Sequence, residues 1–346
     1  MTRGFLRAFA AAAAALGVLA AAGLLMFHYL NSPSPLIPEE GRIFRVQRGE
    51  SSAAIASRLQ RQGLVRSSTL LRLMARLTRS DGRYQSGYFR IRRGDSTADI
   101  HALLVSGHQE QIKVTIPEGW TLKRIARHLQ DKGVARREEL LAAASSPELL
   151  RKLHVPAENL EGYLYPDTYF FPVGYPAEAV VEQMAVHFFE QLQSIAPEAA
   201  ALSPQKLHEK VIVASIVERE YRRPEEAPLI ASVFYNRLEY NIGLESCATL
   251  SYIITDIQDR PHPQFLSAED KRIDSPYNTY KWAGLPPGPI SNPGRVALEA
   301  AFRPARTQYY YFLLKNPETG EHFFSESLTR HNWAKYMYLK QPGAGG

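Results

Sequence analysis

The chain has 346 residues, 45% of them hydrophobic, with a formal charge of +6 and one cysteine. That length exceeds one ordinary domain and allows a sizeable core, while the lone Cys247 excludes a disulfide within the chain. Lys and Arg are spread rather than blocked, a mild basicity that suits a nearby anionic surface or polymer.

The first element is an apolar stretch from Ala8 to Phe27, long enough to cross a bilayer as a helix. Arg3 and Arg7 precede it and the next Lys or Arg is Arg42, so the charge bias leaves residues 1–7 in the cytoplasm and exports the rest. A cleaved signal peptide is the competing reading, since Ala20-Ala21-Ala22 offers small residues for cleavage, but the stretch is long for one and a retained anchor is preferred. Export argues against a nucleic-acid partner. Residues 28–42, with Asn31, Ser32, Ser34 and three Pro between 31 and 42, read as a spacer.

Residues 43–150 carry a weak repeat. Ile43–Val65, Gly87–Gln109 and Ile112–Ala135 each show alternating strand residues, a Gly turn with an acidic neighbour, and a Ser or Thr that starts a helix. Ser51 or Ser52, Ser96 and Thr121 are the caps. Ile55 and Leu59, Ile100 with Leu103 and Leu104, and Ile125 and Leu129 form the buried stripes. Thr69–Arg79 supplies an intervening helix. Units this small cannot bury their apolar faces alone, so the first two or three are expected to pack together as one α/β module, which serves either to bind a ligand or as a stalk that sets a second domain off the membrane.

Residues 151–339 form that second domain, where aromatics, Pro and Gly cluster between helices. Glu161–Tyr169 is a loop-and-strand segment with two carboxylates and three Tyr. Helices are expected at Pro176–Ser194, Pro204–Arg222, Ala227–Glu239 and Asn292–Phe302, a strand at Tyr309–Leu314, and a last helix carrying His331 and Asn332. Residues 340–346 read as a disordered tail. The Pro-rich segments 275–280 and 284–294 make stiff walls from which Asn278, Tyr280 and Asn292 offer hydrogen bonds and an aromatic face. Asn236 and Arg237 end the third helix, and Asn236 either orients a substrate or caps the helix.

The most informative feature is the uninterrupted run Val211–Val217 followed by Glu218. Ser203 caps this helix and Pro204 fits its first position. A helix apolar all round is enclosed, so a Glu at its edge loses hydration and its pKa rises from about 4.3 towards 6 or higher. That suits a group that donates a proton near neutrality and later takes one back. The competing role is an ion pair with Arg219, Arg222 or Arg223. Glu220 falls roughly opposite on the helix and makes no pair with Glu218 by spacing.

Other chemistries lack their signatures. The His residues show no HExxH or other tight ligand spacing, and no GxSxG, Walker A or Gly-rich nucleotide loop is present, so no metal and no cofactor is expected. Cys247 as a nucleophile would need His322 or His331 brought to it, and a buried or turn-packed thiol is the preferred role.

The segments VIVASIVERE, VFYNRLEYNIGLESCATLSY, SPYNTY, GLPPGPISNPG and HNWAKY, with EGYLYPDTY and IPEGWTLKRIA, resemble in order the endolytic murein transglycosylase, or YceG-like, family. The resemblance implies an α+β protein: a transmembrane helix, a small LysM-like module and a catalytic domain outside the inner membrane. It implies cleavage of peptidoglycan between N-acetylmuramic acid and N-acetylglucosamine, leaving 1,6-anhydro ends and terminating strands, near peptidoglycan synthases of the divisome or elongasome. The family's essential acid falls on Glu218, its Asn-Arg pair on Asn236 and Arg237, and its polar turn on Glu245, Ser246 and Thr249. Asn236, Glu245 and Tyr280 are the candidates for substrate orientation. The family's Gln-Ser-Asp-Pro-Thr turn is here Glu245-Ser-Cys-Ala-Thr249, a departure that leaves open whether Glu245 replaces the missing Asp. A non-catalytic wall-binding scaffold, and a hydrolase using Glu161, Asp167 or Glu245 as second carboxylate, are the alternatives.

Overall fold

The computed structural model describes residues 2–263 and 265–340, with side chains from residue 9 onward except at 264, 339 and 340. The expected disordered tail lies outside the described residues from Gln341. The chain is mixed α+β with an N-terminal apolar helix, α1 (Thr2–Asn31), whose Phe9–Asn31 portion is long and apolar enough to cross a membrane.

The chain divides into two compact units, Met1–Ile112 with Phe170–Tyr175, and Lys113–Tyr169 with Pro176–Gly346. The first two sequence repeats therefore fall in the first unit and the third, with its helix, in the second. In the first unit β1 (Arg42–Val46), α2 (Ser52–Arg61), α3 (Ser68–Leu77) and β2 (Gly87–Ile91) follow in βααβ order, and β1 pairs antiparallel with β2. α4 (Thr97–Ser106) completes the unit. Ser51 accepts from the Ala54 amide, and Ser96 forms a reciprocal capping box with Asp99. Phe44, Ile55, Leu59, Leu71, Phe89, Ile100 and Leu104 are buried together, so the alternating strand residues and the helical stripes share one core.

β3 (Gln111–Thr115) pairs with β4 (Thr168–Pro172). In the second unit Thr121 caps α5 (Leu122–Asp131), and two short helices follow, α6 (Arg137–Ala144) and α7 (Pro147–Lys152), which periodicity did not separate. Then come α8 (Ala177–Ile195), α9 (Pro204–Glu220), α10 (Ala227–Glu239), α11 (Cys247–Tyr252) and α12 (Arg295–Phe302). The hairpin β5 (Tyr311–Asn316) and β6 (Glu321–Ser325) precedes α13 (Leu328–Lys335).

α9 is the axis of this unit. Ser203 caps it, accepting from Lys206, and every residue from Val211 to Val217 is buried against α10, α11 and α12. The one polar member, Ser215, is satisfied: its hydroxyl donates to the Ile212 carbonyl at 2.7 Å and accepts the Ile290 amide at 3.0 Å, while Ser291 donates to its carbonyl. These bonds fasten the Pro/Gly-rich loop before α12 onto the helix. Gly162 sits where a side chain cannot, with φ +86° and Pro289 only 2.5 Å from where a Cβ would stand.

Candidate active site

Three segments converge at the C-terminal end of α9. The Gly119 amide donates to the Asn292 carbonyl and the Asn292 amide to the Trp120 carbonyl, both at 2.9 Å, so residues 118–120 and 292–294 run side by side. Two residues beyond, the Gly294 amide donates to Glu218 Oε2 at 2.9 Å. Arg219 holds the other edge by donating to the Gly119 carbonyl.

Glu218 opens on a cavity of about 310 Å³ walled by Glu118, Trp120, Arg124, Tyr221 and Arg222, among others. Burial pushes its pKa up to about 8, opposed by the Gly294 bond and the Arg219 charge and reinforced by the charge of Glu118. At neutral pH the carboxyl therefore carries its proton. The ion-pair alternative has no counterpart among the described residues: Arg223 is paired with Glu225, and Arg219 is directed to a carbonyl. Tyr221 keeps its proton too, burial and the two carboxylates raising its pKa.

Glu118 was read from sequence only as the acidic neighbour of a turn glycine. Its Oε1 lies 1.8 Å from where a Cβ on Gly294 would stand, so position 294 must lack a side chain for this carboxylate to occupy its place. Trp120, with Arg124 stacked at 4.2 Å from its ring centre, adds an aromatic face that was also not singled out. The signal was present in the segment IPEGWTLKRIA, but a strand–helix period explained that segment without a site.

The other named residues divide into two groups. Glu245, Ser246 and Tyr280 line a second cavity, of about 410 Å³, with Glu220, Arg237 and Cys247. Ser246 is the N-cap of α11 and donates to Glu220. Thr249, fully buried, donates to the Ser246 carbonyl and meets Thr279 at 2.9 Å. Where the sequence suggested only a turn, α11 begins, and Cys247 and Ala248 occupy its first two positions. An Asp would suit the first of those positions by charge, whereas the Ala248 amide donates to the Ser246 hydroxyl, a bond that a Pro there would lack. Cys247 is exposed, its sulfur 3.0 Å from the Tyr280 hydroxyl. Arg237 is buried with Nε on the Tyr310 carbonyl and Nη1 on the Gly243 carbonyl, and Glu245 stands 3.6 Å away.

Three amide side chains are committed to backbone. Asn236 donates to the Thr307 and Tyr309 carbonyls, and Asn278 to those of Lys271 and Ile273 while accepting from Tyr280. Asn292 accepts from Leu164 and donates to the Trp120 carbonyl and Glu161. They fix the walls around the cavities. Of the carboxylates weighed as partners for Glu218, Glu161 is enclosed beneath the Leu122 amide and Asn292, with burial pushing its pKa to about 8. Asp167 is bound to His187 at 2.8 Å, and Glu245 lies beside Arg237. None of the three lines the Glu218 cavity.

An enclosed helix brings a carboxyl of raised pKa to an aromatic-walled cavity on a mixed α+β frame, an arrangement chemically suited to donating a proton. The chain belongs to the YceG-like family, whose pattern it matches over residues 44–336. It is 30% identical to the endolytic murein transglycosylase of Bacillus subtilis strain 168, over 84% of this chain and 83% of that one. The endolytic murein transglycosylase of Streptococcus pneumoniae D39 is 28% identical over 92% of this chain, which spans 62% of that longer protein. The crystal structure of a putative yceG-like protein from Listeria monocytogenes superposes with a TM-score of 0.57 at 29% identity, covering 86% of this chain and 99% of that one.

Proposed function

We propose that this protein is a membrane-anchored endolytic lytic transglycosylase that cuts peptidoglycan strands between N-acetylmuramic acid and N-acetylglucosamine. The observation that carries the reading is Glu218, protonated near neutrality with one backbone donor and open to a cavity. The names borne by the Bacillus and Streptococcus relatives supply the substrate class.

Glu218 protonates the bridging oxygen as the bond from the muramic C1 breaks, releasing N-acetylglucosamine with a free hydroxyl. The muramic C6 oxygen then bonds to C1 and its proton passes to the Glu218 carboxylate. No water is consumed and Glu218 ends protonated as it began. Because the nucleophile belongs to the sugar under attack, one acid suffices. Glu118 helps hold the proton on Glu218 beforehand, while Trp120 provides a face for a sugar ring. Glu245, Ser246 and Tyr280 supply the wall beyond, and Asn236, Arg237, Thr249, Asn278 and Asn292 position it.

The apolar α1 serves as a single-pass inner-membrane anchor with the remainder exported, and the βααβ unit acts as a LysM-like module. That placement puts the site among nascent strands, beside peptidoglycan synthases and the division or elongation proteins that recruit them. One observation favours a second reading: Glu118, facing the Glu218 cavity, is where a second carboxylate of a hydrolase would stand. Mass spectrometry of fragments released from uncrosslinked glycan separates the two. Anhydro ends that vanish in Glu218→Gln support transglycosylation, reducing ends support hydrolysis, and full product formation by the variant removes Glu218 from the mechanism.

A further inference from the structure

The cavity of about 410 Å³ beyond the acid is more cationic than a sugar-binding wall requires. Arg219, Arg222, Arg237, Lys271 and Lys335 border it, against the carboxyls of Glu220 and Glu245. Glu245 is offset by Arg237. Glu220 accepts the Ser246 hydroxyl, and burial raises its pKa, so five basic side chains face two carboxyls across the cavity. Arg222, Lys271 and Lys335 form no ion pair with any carboxylate among the described residues. Lys271 instead rests over the Tyr280 ring at 4.8 Å. The excess is felt by a neighbour: burial, Lys335 and Arg237 together push the His331 pKa down to about 4. Unpaired cations in a concave site of this size are the arrangement that binds a small anion-bearing ligand.

Arg219 and Arg222 border this cavity and the Glu218 cavity alike. Four residues of chain span at most about 14 Å, so Arg222 lies within one or two sugar rings of the acid. A ligand whose reacting bond sits at Glu218 therefore reaches this cavity with whatever branches from that sugar.

We infer that the cavity bordered by Arg222, Lys271 and Lys335 binds the free carboxylate of a peptide branching from the sugar held at Glu218. The peptide's identity as the muramic acid stem rests on the peptidoglycan reading above; the recognition of a carboxylate does not. Arg222 supplies a planar fork for the carboxylate, Lys271 and Lys335 supply point charges, and the Tyr280 ring supplies a face for the peptide's apolar atoms.

The test is calorimetric titration of the detergent-solubilised full chain with N-acetylmuramoyl-L-alanyl-D-isoglutamine, and with the same compound after its carboxylate is converted to an amide. The acid form is expected to bind roughly tenfold tighter than the amide, the value of one charge-assisted contact of about 1.4 kcal/mol. Arg222→Gln and Lys271→Gln should each erase most of that difference, and Arg222→Lys should restore part of it. Equal binding of acid and amide by the unaltered chain overturns the inference, as does an unchanged preference in both Gln variants or no saturation below about 10 mM. A protein that prefers the acid form but never cuts glycan would instead sink the transglycosylase reading and leave this one standing.

Discussion

Replacing Glu218 by Gln should make the protein more resistant to alkaline pH while abolishing its activity. The folded carboxyl holds its proton up to about pH 8, whereas the unfolded chain releases it near the ordinary 4.5. Between those values the native state binds more protons, so the contribution of Glu218 to stability falls as pH rises and levels off above 8. The gap of about 3.5 pH units, at about 1.4 kcal/mol each, sets an upper bound of roughly 5 kcal/mol. Partial solvent access at the cavity lowers this to about 2–4 kcal/mol. A Gln side chain is isosteric and still accepts the Gly294 amide, so at pH 4.5 the two proteins should differ by less than about 1 kcal/mol. By pH 8.5 the variant should lead by the full amount. Glu161 and Glu220, whose buried carboxyls slope the same way, cancel in the comparison. Urea unfolding followed by tryptophan fluorescence suits the measurement, because Trp120, Trp282 and Trp333 all lie in the second unit. Glycan cleavage should fall at least about 100-fold. Parallel stability curves for the two proteins across this pH range would mean that Glu218 titrates ordinarily, and the case for it as a neutral-pH acid would fail.

Removing the neighbouring charge in Glu118→Gln should lower the pKa of Glu218, so that the alkaline limb of the pH–rate profile moves down by about 0.5–1 unit; an unmoved limb would deny the coupling. Gly294→Ala places a methyl where Glu118 Oε1 now lies, and because that oxygen ends a flexible side chain the fold should lose under about 1 kcal/mol while the same limb shifts. A large drop in melting temperature for this variant would show that backbone, not the carboxylate, fills the space. Asn292→Ala leaves the Leu164 amide and Glu161 without their partner and should cost about 3 kcal/mol in urea unfolding, a structural loss rather than a kinetic one. Equal stability with impaired substrate binding would place Asn292 at the substrate after all.

The elements with strong periodicity were legible. α10 begins and ends where expected, and α9 differs only in stopping at Glu220 rather than Arg222, because Tyr221 turns extended at ψ 147°. The caps Ser51, Ser96, Thr121 and Ser203 were readable because a hydroxyl before an apolar run has few other uses. The start of α11 was not, since a six-residue helix has too little period to separate from a turn. The burial of Glu218 was foreseeable from local sequence, for it follows from its own helix. Glu118 was not: its nearness to Glu218 depends on the pairing of residues 118–120 with 292–294, a long-range contact with no local trace. Asn236, Asn278 and Asn292 have the right chemistry to meet a sugar, and only tertiary structure reveals that backbone carbonyls already hold their amides.

Three carboxyls in this unit have pKa values raised by burial, so a raised value by itself does not mark the acid. What separates them is the use of their lone pairs and their access. Glu161 is bound by the Leu122 amide and Asn292 at the start of α5, and Glu220 by Ser246 at the start of α11. Each joins a helix N-terminus to the core, and exchanging either for Gln should be read out in stability. Among the described residues Glu218 has a single donor, Gly294, and it lines a cavity with Glu118, Trp120 and Tyr221. A protonated group with few bonds to surrender is the one that can hand its proton to a ligand at little reorganisation cost. The same apolar helix thus holds two carboxyls two residues apart, one tied to the start of α11 and one bordering a cavity, and the difference lies in which loop closes over each.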